Sequence, residues 1–380
     1  MKIGAVICEY NPFHKGHLYQ LEKIKKEFSP YVICLMSSNF TQRGTPSIIS
    51  KFDRAKIAVE MGASLVLELP VIFSSASASN FAFGGVSILN SLKIVDRLFF
   101  GCEDDYPKLD LISEKILNME EGISLKKYLK EGYSFIEAKN LSMNFLTNDE
   151  KNMLSRANNI LAIEYINSIK KLSSNMTYEG ILRRGNPHLS LDSKGDFLSS
   201  TALRKLIYKN MDTSEFLPYK FKDFKIHRPN DYFEIFKAKI LLEKIDFSKF
   251  MDYEEGLEKR FLKNLDAKNI YEFVNIVNSK RYTSSRISRL INEILLDIKK
   301  EDVKNSFSYP YFRVLAMDNL GKEILKEIKG DKIIKFKDSY EKSSGFLKNI
   351  LDMEVRASNL YNLKFNILNE DFIKSPYVKW

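Results

Sequence analysis

The feature that most constrains the fold is an alternation of apolar runs and helix-period segments over the first hundred residues. Runs rich in Val, Ile, Leu and Phe occupy residues 3–8, 31–36, 64–69 and 97–100. Between them, residues 17–28, 51–61 and 77–92 place apolar side chains at helical spacing. Strands that alternate with helices predict a parallel, doubly wound sheet, and such a sheet binds its ligand at the carboxyl ends of the strands.

The remainder of the chain is predicted to contain more helix and less strand. Residues 108–175 are expected to be mostly helical, a short strand is expected over 176–183, and a further helix is expected to open at Ser199. Beyond 210 the pattern predicts helices to about 305, followed by a small α/β tail from 311. We therefore predict an α/β, Rossmann-like catalytic domain over 1–210 and a basic, mainly helical domain over 211–380.

Charge is unevenly distributed along the chain. Residues 1–150 contain 17 Lys and Arg against 18 Asp and Glu, whereas residues 151–380 contain 42 against 31. A near-neutral beginning and a basic remainder favour a catalytic part joined to a part that binds a polyanion. A lysine-rich proteome would produce the same excess, so charge by itself leaves both interpretations open.

The cysteines and the hydropathy pattern bear on the compartment. Cys8, Cys34 and Cys102 lie in or beside apolar runs and have no metal-ligand spacing, so we expect reduced thiols, no metal site and a cytoplasmic location. No apolar stretch approaches 18 residues, and the chain begins directly with a strand-like run, so neither a membrane span nor a signal peptide is expected.

Two of the four histidines lie in one tetrapeptide, His14-Lys15-Gly16-His17, which follows the first apolar run and a turn at Asn11-Pro12. The N-terminus of a helix attracts phosphate, glycine lets a bulky anion approach, and histidines three residues apart share one face of a helical turn. We expect the pair to bind phosphate oxygens and to stabilise charge during phosphoryl chemistry. Two unliganded loop histidines are the ordinary alternative, and a zinc site would lack a third ligand nearby.

Later segments supply further candidates for nucleotide contacts. Ser199, Thr201 and Arg204 lie at a predicted helix start, where hydroxyls and a guanidinium suit phosphate, although an ordinary helix cap with a surface arginine has the same pattern. The polar loop 38–46 is expected to cover the acceptor substrate. Other candidates for the triphosphate, the adenine or the ribose follow strand ends or open a helix: the pair Arg183 and Arg184, Asn159 beside Asn158, and Gly101.

A basic segment in the second half is a candidate RNA contact. Lys280, Arg281 and Tyr282 precede a predicted helix on which Arg286 and Arg289 share one face. Arginines beside an aromatic ring and several hydroxyls suit a phosphate backbone with unstacked bases. A solvated helix face is the alternative interpretation.

The tetrapeptide after a first strand resembles the His-x-Gly-His signature of the nucleotidyltransferase superfamily that includes class I aminoacyl-tRNA synthetases. The chain as a whole resembles the bacterial tRNA(Met) cytidine acetate ligase family. The segments that carry this resemblance are residues 6–18, 39–44, 158–161, 255–258, 280–283 and 313–315. The resemblance implies a nucleotidyltransferase-type α/β domain followed by an RNA-binding region.

The activity that the resemblance implies is a two-step ligation. ATP and acetate would give acetyl-adenylate and pyrophosphate, and N4 of the wobble cytidine of elongator tRNA(Met) would then take the acetyl group and release AMP. His14, His17 and Arg204 would be catalytic. ATP, accompanied by Mg²⁺, would contact Ile7, Cys8, Glu9, Tyr10, Asn11, Pro12, Phe13, His14, Lys15, Gly16, His17, Leu18, Tyr19, Gln20, Gly101, Asn159, Arg183, Arg184, Ser199 and Thr201. No membrane and no obligate protein partner are implied.

Two other functions fit part of the pattern. A small-molecule adenylyltransferase acting on a nicotinamide or pantetheine phosphate would use the same histidines, but it leaves the basic second half unexplained. A non-catalytic RNA-binding protein with a degenerate nucleotide domain would not need His14, Gly16, His17 and Arg204 to be intact.

Overall fold

One sheet organises the molecule. A computed structural model describes residues 1–120, 127–128, 131–132, 141, 145–183, 197–279, 281–307 and 311–380. Within these ranges the sheet is built from Gly4–Cys8 (β1), Val32–Ser37 (β2), Leu65–Leu69 (β3), Arg97–Cys102 (β4), Thr177–Leu182 (β5), Val314–Met317 (β6) and Tyr377–Val378 (β7). The strands lie in the order β5-β4-β1-β2-β3-β6-β7. Strands β1 to β5 are parallel, β6 is antiparallel to β3, and β7 is parallel to β6.

Helices surround this sheet and build the region beyond it. The earlier helices are Lys15–Glu27 (α1), Lys51–Glu60 (α2), Val71–Ser74 (α3), Ala78–Ser91 (α4), Tyr106–Glu120 (α5), Asn148–Met153 (α6), Ala157–Lys171 (α7) and Ser200–Tyr208 (α8). The later helices are Phe233–Leu242 (α9), Leu257–Lys263 (α10), Ile270–Val277 (α11), Ser284–Leu296 (α12), Lys300–Ser306 (α13), Asn319–Glu327 (α14), Phe336–Lys342 (α15), Gly345–Asn362 (α16) and Glu370–Ile373 (α17).

The predicted α/β fold class is confirmed, and so are its early elements. The strands expected in the first hundred residues lie where the apolar runs are, to within a residue or two, and helices α1, α2 and α4 separate them. Every residue of β2 and β3 is buried, as expected of parallel strands that are covered on both faces. Ile33 and Leu65 pack in the core on one face of the sheet, while Cys34 and Val66 pack in the core on the other.

The order of the strands creates a crevice beside β1. The chain forms β1, β2 and β3 on one side and then crosses back, so that β4 pairs with the other edge of β1. The connections that follow β1 and β4 therefore diverge at the carboxyl ends of these two strands. This is the switch point at which open α/β sheets bind their ligands, and it brings the loop with His14 near the end of β4.

The C-terminal part of the chain completes the sheet through buried ion pairs. Lys51 Nζ, at the start of α2, lies 2.6 Å from Glu68, 2.8 Å from Asp371 and 3.5 Å from Glu354. Arg313, next to β6, pairs with Glu68 at 3.1 Å and with Asp371 at 2.6 Å. Burial, followed by the charge of Glu68, raises the pKa of Glu354 to about 8. Two cations thus face three carboxyl groups in one buried cluster, and the raised pKa of Glu354 means that this carboxyl gives up its proton less readily than an exposed glutamate does.

The later helical region has a phenylalanine-rich core of its own. Phe233, Phe236, Phe261 and Phe273, from helices α9 to α11, pack together with the apolar face of α12. The division of the chain near residue 210 stays a prediction, since β6 and β7 belong to the sheet that the earlier residues build. Among the described helices, none combines the length and the apolar character that crossing a bilayer requires.

Candidate functional site

The two histidines form one unit at the N-terminus of α1. His14 is the N-cap of this helix: its Nδ1 accepts a hydrogen bond from the backbone N–H of Gly16 at 3.0 Å. In return, the backbone N–H of His14 donates to Nδ1 of His17 at 3.2 Å. The two imidazole rings stack with their centroids 3.7 Å apart and an interplanar angle of 23°. The histidines thus take the place of the usual Ser and Glu of a capping box.

These hydrogen bonds determine which nitrogen carries the proton. Because both Nδ1 atoms accept from backbone amides, each neutral imidazole must carry its proton on Nε2. Burial, followed by the charge of Arg183, lowers the pKa of His14 to about 3. Burial, the charge of His14 and the charge of Arg183 lower the pKa of His17 well below its usual range. Both rings are therefore neutral N–H donors at physiological pH.

His14 has an unused donor. Its side chain is only 4% exposed, and its Nε2 has no hydrogen-bond partner within the ranges that the structure describes. A buried N–H without an acceptor is costly, and a bound ligand is one way in which such a group is satisfied. The N-terminus of a 13-residue helix at the same place adds its own partial positive charge. Together these features suit an anionic oxygen.

Gly16 is required by the ring of His14 rather than by backbone conformation. A Cβ built at this position would lie 2.9 Å from Cε1 and 3.0 Å from Nδ1 of His14. Contacts this short do not occur between real side chains, so any larger residue would push the His14 ring out of place. The glycine therefore allows the ring to fold back over the first turn of the helix.

A cavity of about 610 Å³ opens beside this helix start at the carboxyl ends of β1, β2 and β4. Many of the predicted nucleotide contacts line it: Ile7, Cys8, Glu9, Tyr10, Asn11, His17, Gln20, Gly101, Arg183, Thr201 and Arg204. Its apolar surface comes from residues that were not predicted to contact the nucleotide: Ala78, Phe81, Phe100, Ile160, Leu161 and Tyr165. The cavity therefore combines an apolar wall, suited to a base, with convergent cations.

Other predicted contacts support the cavity without lining it. They are Pro12, Phe13, His14, Lys15, Gly16, Leu18, Tyr19, Asn159 and Ser199. Phe13 is fully buried in the core beneath α1. Ser199 caps α8 by accepting a hydrogen bond from the backbone N–H of Ala202 at 3.2 Å. The nucleotide contacts of all these residues remain predictions. In the structure, Phe13 packs in the core and Ser199 caps a helix.

Arg204 ties α8 to the turn that precedes the histidines. Its Nη1 donates to the carbonyl oxygen of Asn11 at 2.6 Å and its Nη2 to Oγ1 of Thr201 at 3.2 Å. Burial lowers the pKa of Arg204, Glu9 and Tyr208 act against this effect, and the charge of Arg43 reinforces it. A half-buried guanidinium without a carboxylate of its own in this cavity can bind phosphate oxygens.

The two neighbouring asparagines on α7 make different contacts. Asn159 is fully buried, and its Oδ1 accepts from the backbone N–H of Glu103 at 2.9 Å, so its amide holds the connection that follows β4. Asn158 lines the cavity and accepts from Arg183 Nη1 at 3.2 Å. Sequence reasoning chose Asn159 as the nucleotide contact, whereas the cavity is lined by Asn158. Arg184 lies outside the described residues.

The candidate RNA contacts are largely engaged with carboxylates and backbone. Arg289 is 9% exposed and forms two hydrogen bonds of 2.7 Å with Asp252. Arg286 pairs with Glu254, and Arg281 Nε donates to the same carboxylate at 2.6 Å. Tyr282 is buried. Lys280 lies outside the described residues. Their role in RNA binding stays a prediction, with Arg281 as the exposed member of the set.

Two segments that are distant in the sequence meet at the cavity. Residues 41–43 and 45, in the loop after β2, line it, and so do Ser285 and Arg289 from α12. The turn at Gly44 packs directly on α12, because a Cβ there would lie 2.3 Å from the backbone nitrogen of Arg289. Sequence reasoning treated α12 only as an RNA-binding face. No periodicity in the sequence could show that its first turn reaches this cavity.

This fold and this histidine site define a class of protein. The family model described as HIGH Nucleotidyl Transferase matches residues 1–374. A tRNA(Met) cytidine acetate ligase of a Thermoanaerobacter species is 37% identical to the chain, and one of Clostridium perfringens is 36% identical; each comparison covers all of both chains. The solved structure of Thermotoga maritima TmcAL bound with α-thio ATP is 31% identical, has a TM-score of 0.86 and covers all of this chain and 99% of that one. The chain belongs to the tRNA(Met) cytidine acetate ligase family.

Proposed function

We propose that the chain is an ATP-dependent ligase that transfers acetate to a cytidine of tRNA(Met). Relatives that bear the name tRNA(Met) cytidine acetate ligase match it from end to end, and a solved relative binds an ATP analogue. The observation that carries the proposal within this chain is the stacked histidine pair at the start of α1. Its Nε2–H donors, one of them without a partner among the described residues, lie beside a cavity suited to a nucleotide.

In the first step, an acetate oxygen attacks the α-phosphorus of ATP. The bond between this oxygen and the phosphorus forms, the bond from the α-phosphorus to the bridging oxygen breaks, and pyrophosphate leaves with the electron pair. Negative charge increases on the phosphoryl oxygens during this exchange. The neutral imidazoles of His14 and His17 donate from Nε2 to these oxygens, and Arg204 binds the outer phosphates.

In the second step, N4 of the wobble cytidine in the elongator tRNA attacks the acetyl carbonyl carbon of acetyl-adenylate. The carbon–nitrogen bond forms, the carbon–oxygen bond to the phosphate breaks, AMP leaves with the electron pair, and the amine loses a proton. The basic second half of the chain supplies the charge that attracts the tRNA. A tRNA substrate also supports the expected cytoplasmic location.

The described residues contribute few ligands for a metal ion. Glu9 is the one carboxylate that the described residues contribute to the lining of the cavity, and its Oε1 already accepts from the backbone N–H of Gln42 at 2.8 Å. In the described part of the chain, no three His, Cys, Asp or Glu side chains are grouped to hold a metal. A protein-held Mg²⁺ site does not fit these residues, so we expect Mg²⁺ to be bound by the oxygens of the triphosphate.

The test separates the two steps. Purified protein is incubated with ATP, labelled pyrophosphate and acetate, and the return of label into ATP is measured with and without acetate. The full reaction, with bulk tRNA added, is followed by nucleoside analysis for N4-acetylcytidine. Acetate-dependent exchange together with N4-acetylcytidine supports the ligase. Exchange that requires a nicotinamide or pantetheine phosphate instead of acetate supports the adenylyltransferase, and tRNA binding without exchange supports the non-catalytic alternative.

A further inference from the structure

The arginines that line the nucleotide cavity differ in what they bind. Of the four that the described residues contribute, three are bonded to neighbouring groups: Arg183 to Asn158, Arg204 to Asn11 and Thr201, and Arg289 to Asp252. Arg43 is exposed at the same cavity and has no hydrogen bond or ion pair with any residue in the described ranges. A cation that no protein carboxylate neutralises is free to bind an anionic ligand.

The backbone that carries Arg43 is well fixed. The preceding residue, Gln42, donates its N–H to Glu9 at 2.8 Å, which joins the loop to the end of β1. Thr41 Oγ1 donates to the carbonyl oxygen of Thr45 at 2.9 Å. Gly44 has a φ of +71° and packs against the backbone of α12. An arginine on such a constrained turn is held at the cavity in a limited set of positions.

The position of Arg43 suits the acid rather than the nucleotide. The loop that carries it follows β2, whereas His17 lies on α1 after β1 and Arg204 lies on α8, so the histidines and Arg43 approach the cavity from different elements. Arg43 is close enough to Arg204 for the two charges to repel, as the lowered pKa of Arg204 reflects, although burial is the larger cause. Two neighbouring cations can bind two anionic substrates that have to come into contact in order to react.

Acetate and ATP are such a pair. Both are anionic, so bringing a carboxylate against the α-phosphate is opposed by charge repulsion unless a cation compensates for it. Guanidinium is suited to this task because its planar donors match the two oxygens of a carboxylate. Among the described residues, the other three arginines that line the cavity are partly occupied by protein acceptors.

We propose that Arg43 binds the carboxylate of acetate and holds it beside the α-phosphate of ATP. The inference rests on the proposed function, because it assumes acetate as the acid. One carboxylate oxygen attacks the phosphorus while the other stays hydrogen-bonded to Arg43. In the following step this second oxygen is the carbonyl oxygen of acetyl-adenylate, where negative charge develops when the cytidine amine attacks.

The test compares substrate dependences in Arg43→Ala and Arg43→Lys. Acetate-dependent exchange of labelled pyrophosphate is measured over a range of acetate at saturating ATP, and then over a range of ATP at saturating acetate. We expect Arg43→Ala to raise the KM for acetate by about 10- to 100-fold with little change in the KM for ATP, because a charge-assisted hydrogen-bonded pair is lost. Arg43→Lys, which keeps the charge but not the paired donors, should lie between. Arg356→Ala, an exposed arginine outside the cavity, is the matched control.

Each other outcome has a definite meaning. An unchanged KM for acetate in Arg43→Ala overturns this inference. A raised KM for ATP with the acetate value unchanged assigns Arg43 to the triphosphate, and a defect confined to acetyl transfer assigns it to tRNA. A wild-type chain without acetate-dependent exchange overturns the ligase proposal together with this inference. Thermal unfolding of both variants, expected at the wild-type temperature because Arg43 is exposed, separates a binding defect from a folding defect.

Discussion

The substitution Gly16→Ala provides a sharp test of how the histidine pair works. It adds one methyl group to the first turn of α1, where that methyl would lie 2.9 Å from Cε1 of His14. Ordinary carbon contacts begin near 3.4 Å, so the imidazole must withdraw by about 0.5 Å. This movement weakens the hydrogen bond from the N–H of Gly16 and the 3.7 Å stacking of the two rings.

The expected effects on activity and on stability have opposite signs. A misplacement of about 1 Å in a catalytic geometry can cost 10²-fold in rate, so a shift of half that size should lower kcat by about 10- to 100-fold. This loss corresponds to about 1.4–2.7 kcal/mol of transition-state stabilisation. Alanine, in contrast, favours a helix over glycine by up to about 1 kcal/mol. The variant should therefore unfold at the wild-type temperature or above it.

The assay is acetate-dependent pyrophosphate exchange, measured in parallel with thermal unfolding. The informative design is a double-mutant cycle with His14→Ala. Once the imidazole has been removed, the added methyl group has nothing to displace. Gly16→Ala in the His14→Ala background should therefore lower kcat by less than about twofold, since the two changes act through the same ring.

Two results would refute this reasoning. Full activity of Gly16→Ala would mean that the position of the His14 ring does not matter to the reaction. An equal loss in both backgrounds would mean that the methyl group acts on the ligand or on the helix and not through His14. A lowered unfolding temperature would mean that the turn has rearranged, and the kinetic comparison would then have to rest on His14→Ala and His17→Ala.

Further predictions concern the charges around the site. His17→Ala should lower the exchange rate by about 10²–10³-fold and leave tRNA retention in filter binding unchanged, because it removes one donor to the phosphoryl oxygens. Arg281→Ala should weaken tRNA binding and reduce its salt dependence by about one counterion. Arg289→Ala should instead lower the free energy of unfolding in urea by about 3–5 kcal/mol, because Asp252 would stay buried without its partner. Because the pKa of His14 is lowered to about 3 and that of His17 well below 6.5, only the unfolded chain takes up these two protons as the pH falls below 6.5. The free energy of unfolding should therefore drop from pH 7 to pH 5, and it should drop less in a chain that carries glutamine at both positions.

The sequence predicts most of the early sheet because the relevant signals are local. Apolar runs, helical spacing and the Ser199 cap each depend on neighbouring residues, and the structure has the corresponding elements in those positions. The edge of the sheet is different. Strand β6 pairs with β3 across about 250 residues, and the ion pair of Arg313 with Glu68 joins the same distant segments. No spacing rule connects residues so far apart.

In the candidate site, too, the features that depend on neighbouring residues could be predicted and those that depend on the fold could not. The histidine pair and Arg204 follow from type and spacing, and the structure brings His17 and Arg204 to one cavity. Which of Asn158 and Asn159 lines that cavity depends on how α7 is rotated against β4, because adjacent residues on a helix point about 100° apart. The lack of a partner for Arg43 among the described residues could not be predicted either, since it depends on which side chains the fold places around it.

The contact between α12 and the nucleotide cavity bears on how a two-step ligase retains its intermediate. Acetyl-adenylate is a mixed anhydride that water can hydrolyse, so the acceptor amine must reach it where it forms. Ser285 and Arg289 line the cavity from the basic region, and the turn at Gly44 locks that region to the loop that carries Arg43. The ion pair of Arg289 with Asp252 holds this end of α12 in place without presenting a free charge to the nucleotide. On the proposed function, a tRNA bound along this face would present its cytidine directly to the bound intermediate, and no transfer between separate sites would be needed.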